Sequence, residues 1–359
     1  MNPNFNRNRN RNPNHLSSEA LAEEDNHDSQ SSDNSFLSVR DLVKLYPLRG
    51  GIFSRKIGMV QAVQGVSFDL TKGETLGLAG ESGCGKSTLA RAILYLEKPT
   101  SGDVIFKGGN LAALSQKELF PVRRQIQIIF QDPYSSLNPR MTVGEIIRDP
   151  LIVHKQGTRH EQISKVKHLL SCVGLSPDVM DRYPHEFSGG QRQRVGIARS
   201  LALDPELIIA DEPVSSLDVS VQSQVLNLLV SLQKEFGLTY IFISHDLSVV
   251  EYLSDRIMIM YLGKIVESGQ TGEIFAHPAH PYTRALMEAI PVPDPARGEK
   301  KIILKGETPS PVNPPSGCAF HPRCPFAINQ CREIIPPLEP LDSKKSSAHL
   351  CACIRKDEI

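Results

Sequence analysis

Residues 75–88 constrain the fold of this chain more than any other stretch. Thr75-Leu76-Gly77-Leu78-Ala79 is an apolar run of strand length, Gly80-Glu81-Ser82-Gly83-Cys84-Gly85-Lys86-Ser87-Thr88 follows at once, and Thr88 to Leu96 reads as a helix. Strand, glycine-rich loop and helix form the context in which this spacing reads as a phosphate-binding loop (P-loop) rather than a plain turn. The glycines let the backbone wrap with its N–H groups pointing inward, and the helix N-terminus adds partial positive charge. Lys86 supplies a point charge for β- and γ-phosphates, and the Ser87 hydroxyl is placed to ligate Mg²⁺. Leu207–Ala210 and Tyr240–Ile243 are continuous apolar runs separated by a helical Val219–Phe236, the pattern of parallel strands covered on both faces.

Around this core, Phe36–Arg40 and Val63–Leu70 alternate as strands of an N-terminal antiparallel β part, and Gln125–Phe130 is a further strand. The segment from about Asn138 to Arg182 reads as mostly helical, with Thr142 as an N-cap and Pro150 and Gly174 as breaks. The expected fold is therefore α/β: a P-loop core with a mixed, mainly parallel sheet and a helical subdomain inserted at about 137–190. Lys+Arg and Asp+Glu each total 40, so no global charge steers the chain toward nucleic acid or an anionic bilayer. No run reaches the roughly 18 apolar residues of a spanning helix, so any membrane link must pass through partner chains. Residues 1–35 alternate Asn with Arg, then turn acidic and serine-rich. They lack a signal-peptide core and are expected to be a disordered tail. Composition shifts again near Gly272 and near Pro309, dividing the rest into a domain over 36–271 and a Pro- and Cys-rich extension over 272–359.

Leu207-Ile208-Ile209-Ala210 runs into Asp211 and Glu212. A strand ending in two carboxylates beside a P-loop makes Asp211 a Mg²⁺ partner and lets Glu212 accept a hydrogen bond from an attacking water. Gln131, His245 and Tyr46 each lie at a strand boundary or next to proline. The residues alone leave open whether they are catalytic or are caps and surface groups.

Taken in order, these motifs resemble the nucleotide-binding subunits of ATP-binding cassette (ABC) transporters from about Phe36 to Gly269. Gln131 matches the Q-loop, Phe187 to Arg194 the signature motif, Ser216-Leu217-Asp218 the D-loop and His245 the switch histidine. The resemblance implies ATP and Mg²⁺ as ligands. Tyr46 would stack on adenine, Gln131 would ligate Mg²⁺ and report to a membrane partner, Glu212 would be the general base, and His245 would contact the γ-phosphate. Ser188, Gly189 and Gly190 cap the following helix and form an anion site with no phosphate on their own chain. By resemblance, they touch the γ-phosphate on the P-loop of an opposing subunit.

The run Gln131 to Arg140, His280 to Leu286 and the tail from Cys318 resemble oligopeptide/dipeptide importer ATPases. That implies a second, usually different, ATPase subunit, two membrane permease subunits and an extracytoplasmic solute-binding protein, with this chain peripheral on the cytoplasmic face of the membrane. The solute is then a peptide, or less often nickel or another small solute. The competing class is a soluble single-cassette ATPase of a phosphonate-lyase complex.

Five of the seven cysteines fall in the tail: Cys318, Cys324, Cys331, Cys351 and Cys353. A reducing compartment argues against disulfides, so clustered thiolates suggest a metal, and the spacing departs from the usual zinc pattern. The importer ATPases it resembles carry a 4Fe–4S cluster there. This makes Cys318, Cys324, Cys331 and Cys351 the implied ligands and Cys353 the alternative fourth, with zinc and free packed thiols as the other readings. Cys84, near a helix N-terminus, is either thiolate-prone or simply a small side chain that fits.

Overall fold

The structure is a computed structural model and describes residues 35–50, 55–290, 306–341, 349–356 and 358. The tail expected over 1–35 lies outside them except for Ser35.

β1 (Leu37–Gly50) and β2 (Arg55–Leu70) pair antiparallel. With β4 (Ser101–Phe106) and β5 (Gly109–Asn110) they form a sheet ordered β2-β1-β4-β5. Alternation in the sequence marked both long strands but not their length. Asp41 sits at φ 43 and the register slips between Val39 and Leu42, so the hairpin bulges there and then resumes toward Tyr46.

The second sheet holds β3 (Thr75–Ala79), β6 (Ile126–Ile129), β7 (Leu207–Asp211), β8 (Thr239–Ser244), β9 (Arg256–Tyr261), β10 (Lys264–Gln270), β11 (Glu339–Pro340) and β12 (Leu350–Cys351). Its order is β11-β12-β10-β9-β3-β8-β7-β6, parallel from β9 to β6 and antiparallel beyond. β7 shows why the runs are apolar throughout. Leu207 and Ile209 enter one hydrophobic core, while Ile208 and Ala210 enter the other. Burying each large aliphatic side chain contributes about 1.5–3 kcal/mol, which a strand exposed on one face would forfeit at alternate positions. The P-loop core, the N-terminal antiparallel part and the inserted helices thus take the expected α/β arrangement.

Among the inserted helices, Val143–Val153 starts at Thr142 through reciprocal bonds with Glu145: Thr142 N–H to Oε2 at 2.8 Å, and Glu145 N–H to Oγ1 at 3.3 Å. Pro150, expected as a break, instead lies inside this helix. The next helix, Arg159–Cys172, does stop as expected just before Gly174, which takes φ 72. At the other end of the chain, β12 pairs with β10, so residues from the Cys-rich extension complete the edge of the core sheet. Among the described residues, no helix is long and apolar enough to cross a membrane.

Candidate active site

β3 ends at Ala79 and the chain turns through the glycine loop into the helix Lys86–Ile93. Gly85 stands at φ 110 with the Ala62 carbonyl oxygen only 2.1 Å from where a Cβ would be, so no side chain fits between the loop and β2. The loop encloses a cavity of ≈280 Å³ lined by Ser82 through Thr88, with Tyr46, Gln131 and Glu212 around it. Lys86 is buried and its Nζ donates to the carbonyls of Gly80 (2.7 Å) and Glu81 (3.0 Å). Tyr46 reaches the cavity from β1. Its hydroxyl is tied to Glu97, and the Lys44 ammonium stands 4.9 Å from its ring centroid. Cys84 is buried, and burial pushes its thiol up despite the opposing charge of Lys86, which favours a small packed side chain over a thiolate. It fills space.

At the end of β7 the two carboxylates part. Asp211 accepts a hydrogen bond from the Ser87 hydroxyl at 2.8 Å. Burial raises its carboxyl above the ordinary range, with Ser87 pulling down and the Glu212 charge pushing up. Glu212 turns the chain at φ 47, a left-handed conformation costing on the order of 1–3 kcal/mol for a non-glycine residue. That turn aims its carboxylate into the cavity, where three groups meet it. Gln131 Nε2 donates to Oε2 at 3.0 Å, His245 Nδ1 lies 3.1 Å from the same oxygen, and Lys86 Nζ is 3.9 Å from Oε1. A carboxylate only accepts, so His245 carries its hydrogen on Nδ1. The sequence left Gln131 and His245 open; the fold brings them to one oxygen. A hydroxyl and two adjacent buried carboxylates facing a single lysine are a hard-oxygen donor set that suits Mg²⁺.

Ser188 caps the helix Gly189–Leu201, accepting from Gln191 N–H at 3.4 Å while Gln191 Oε1 accepts from Ser188 N–H at 3.0 Å. Ser188, Gly189 and Gly190 are not among the residues lining the P-loop cavity. Gly190 is required for packing: a Cβ there would come within 2.3 Å of Val221 Cγ1.

In the extension, Cys318, Cys324, Cys331 and Cys353 line one small cavity with Phe320 and Phe326. Cys351, expected as the fourth of the set, is not among its lining residues: it lies in β12 opposite Glu267. Burial first, then proximity to the other thiols, pushes Cys324 up to about 11. Burial likewise raises Cys318 and Cys353. Among the described residues, no three His, Cys, Asp or Glu side chains stand close enough to hold a single metal ion. Sequence reading also missed two contacts from the extension. Pro311 lines the P-loop cavity and accepts a hydrogen bond from Gln61 N–H at 3.0 Å, and Arg323 reaches Glu81 at 2.8 Å. Separations of more than 200 residues leave no local signal for either.

Fold and site together define a P-loop nucleotide-binding cassette that hydrolyses ATP. The family described as ABC transporter matches residues 63–215, and that described as oligopeptide/dipeptide transporter, C-terminal region, matches 266–331. The oligopeptide transport ATP-binding protein AppF of Bacillus subtilis is 55% identical over 323 residues, covering 89% of this chain and 97% of AppF. The putative oligopeptide transport ATP-binding protein YkfD of the same organism is 58% identical over 286 residues, 79% of this chain and 87% of YkfD. Among solved structures, the dimeric bacterial ABC transporter cassette MJ0796 aligns with a TM-score of 0.59 at 30% identity, covering 66% of this chain and 98% of that one. The chain belongs to the ABC transporter ATP-binding proteins, in their oligopeptide/dipeptide group.

Proposed function

We propose that this chain is the ATP-hydrolysing subunit of a peptide importer, with the groups converging on Glu212 as its catalytic centre. ATP lies with its phosphates under the P-loop N–H groups and its adenine toward Tyr46. Ser87, Asp211 and Gln131 would hold the Mg²⁺, which would supply charge to offset that of the phosphates. Water attacks the γ-phosphorus in line, Glu212 takes its proton, and the bond to ADP breaks to release phosphate. Lys86 and His245 meet the γ-phosphoryl oxygens. The observation that carries this reading is the meeting of Gln131, His245 and Lys86 at one buried carboxylate beside the P-loop. Glu212→Gln is expected to keep ATP binding and lose hydrolysis by about 10²–10⁴-fold. Normal turnover in the assembled transporter would remove Glu212 from this role.

The separation of Ser188, Gly189 and Gly190 from their own cavity supports their use on the nucleotide of a second ATPase subunit, which this reading takes to be a different chain. The peptide transport named for AppF and YkfD, together with the match over 266–331, supports two permease subunits, a solute-binding protein and a place on the cytoplasmic membrane face. Purification from membranes with two permeases agrees with this. Recovery in a soluble lyase complex, or binding of nickel rather than peptide by the associated solute-binding protein, overturns it.

The resemblance to importer ATPases supports a 4Fe–4S cluster on the tail, and the four cysteines that line one small apolar cavity, Cys318, Cys324, Cys331 and Cys353, are its candidate ligands, with zinc as the competing reading. When bound, the cluster supplies a cross-link between chain segments. Anaerobically purified protein is expected to absorb near about 400 nm. Cys353→Ser should abolish that band while Cys351→Ser retains it; bound zinc without iron refutes the assignment.

A further inference from the structure

The loop between Cys318 and Cys324 projects two side chains toward the P-loop. Phe320, 1% exposed, packs against Tyr261 and Tyr282 with ring centroids 5.3 and 5.4 Å away. The Tyr282 hydroxyl accepts a hydrogen bond from the Glu81 backbone N–H at 2.8 Å. Arg323, its side chain 8% exposed, grips the Glu81 carboxylate with both arms of its guanidinium: Nη1 to Oε2 at 2.8 Å and Nη2 to Oε1 at 3.0 Å. Thr308 adds a third bond to Oε2 at 2.8 Å. Burial alone would raise the Glu81 carboxyl, yet these partners hold it below the ordinary range, so it is an ion-pair member. The backbone carbonyl of that same residue accepts from Lys86 Nζ at 3.0 Å. Glu81 is therefore held by the extension on three sides and seats the phosphate-binding lysine on the fourth.

We infer that Arg323 is a positioning residue for ATP binding: it fixes Glu81, and through the Glu81 carbonyl it sets where Lys86 and the start of the P-loop stand. A lysine could supply the charge but not the two-armed geometry that prevents rotation of the carboxylate. Because Arg323 lies between two of the clustered thiols, the shape of the cysteine loop is transmitted to the nucleotide site. The inference rests on the P-loop cavity being the ATP site, which wild-type binding of mant-ATP (a fluorescent ATP derivative) tests separately.

The test is a double-mutant cycle in the full chain, read as the Kd for mant-ATP and as kcat and KM in the assembled transporter. Arg323→Gln and Glu81→Gln are each expected to weaken ATP binding about tenfold and to raise KM with kcat changed little, since ground-state seating is what is lost. The double variant should be no worse than either single one, and Arg323→Lys should fall in between. Unfolding midpoints of the same proteins supply the control. A lower midpoint with unchanged Kd would make Arg323 merely structural, and additive losses of about a hundredfold would mean that it does not act through Glu81; either result overturns the inference.

Discussion

Gly190→Ala is the most demanding test of how the signature helix is built. A Cβ at Gly190 would stand 2.3 Å from Val221 Cγ1 and 3.7 Å from Val221 Cβ. Carbon atoms rest at about 3.5–4.0 Å, so the overlap exceeds about 1 Å. Val221 cannot swing away cheaply, because it lies in the helix Val219–Phe236, where a β-branched side chain keeps one rotamer. Overpacking of this kind costs about 1–3 kcal/mol. Against it, replacing glycine by alanine in a helix gains at most about 1 kcal/mol, and less in the first turn. The net expectation is a loss of about 1–2 kcal/mol in urea unfolding of the full chain. Val221→Ala clears the space, so the double variant should fall short of the summed single losses by about 1 kcal/mol or more. Gly189→Ala is the control: the atom nearest its Cβ, Leu217 Cδ2, is at 3.5 Å, an ordinary contact, and stability should hold or rise. A stabilising Gly190→Ala, or strict additivity with Val221→Ala, would refute the packing argument and leave only anion binding to explain the glycine.

Asp211→Asn should raise the unfolding midpoint while ending Mg²⁺-dependent hydrolysis. Its folded carboxyl titrates above the unfolded one, so ionising it above that range costs stability, which an amide avoids; a lower midpoint at about pH 7.5 contradicts this. Tyr46→Phe should bind ATP nearly as wild type does, since its hydroxyl is spent on Glu97, whereas Tyr46→Ala should lose about 1–3 kcal/mol of base stacking. Equal losses for both variants in a titration would remove the ring from the adenine site. Iodoacetamide at about pH 7.5 should label half-buried Cys172 before Cys84, whose thiol is enclosed and pushed up by burial. Mass spectrometry showing the reverse order would restore a reactive thiolate at the loop.

The P-loop and the carboxylate pair were legible because each is local: the ligating atoms sit within a few residues of one strand end. Gln131 and His245 carried no such mark. Their meaning lies in a shared partner, Glu212, at separations of 81 and 33 residues. Cys351 and Cys353 are two residues apart, and continued alternation would put both on one face. β12 instead ends at Cys351, and only Cys353 reaches the thiol cavity. Pro150 misled because a missing N–H and a ring clash usually break a helix, yet neighbouring contacts of Val143, Ile146, Ile147 and Leu151 with the core outweigh that local cost here.

The extension is bound to the cassette by more than apolar contact. Glu267 on β10 is 0% exposed and accepts from the N–H groups of Ala279 (2.7 Å) and His280 (3.0 Å) and from His349 Nε2 (2.7 Å). Burial by itself would raise this carboxyl. The hydrogen bond from His349 and those from the two backbone groups outweigh it, so Glu267 stays below the usual range and is charged. Removing one partner would leave a buried charge unsatisfied, a cost of about 3–5 kcal/mol. Residues 279–280 and 349 therefore cannot leave β10 one at a time, and a tail tethered only at Gln270 is not what this sequence encodes. The helix Pro281–Glu288, held at its N-cap residue His280 by this carboxylate, is the one that carries Tyr282 to the Glu81 backbone. The same buried charge that closes the sheet edge thus fixes the distance between the cysteine loop and the P-loop.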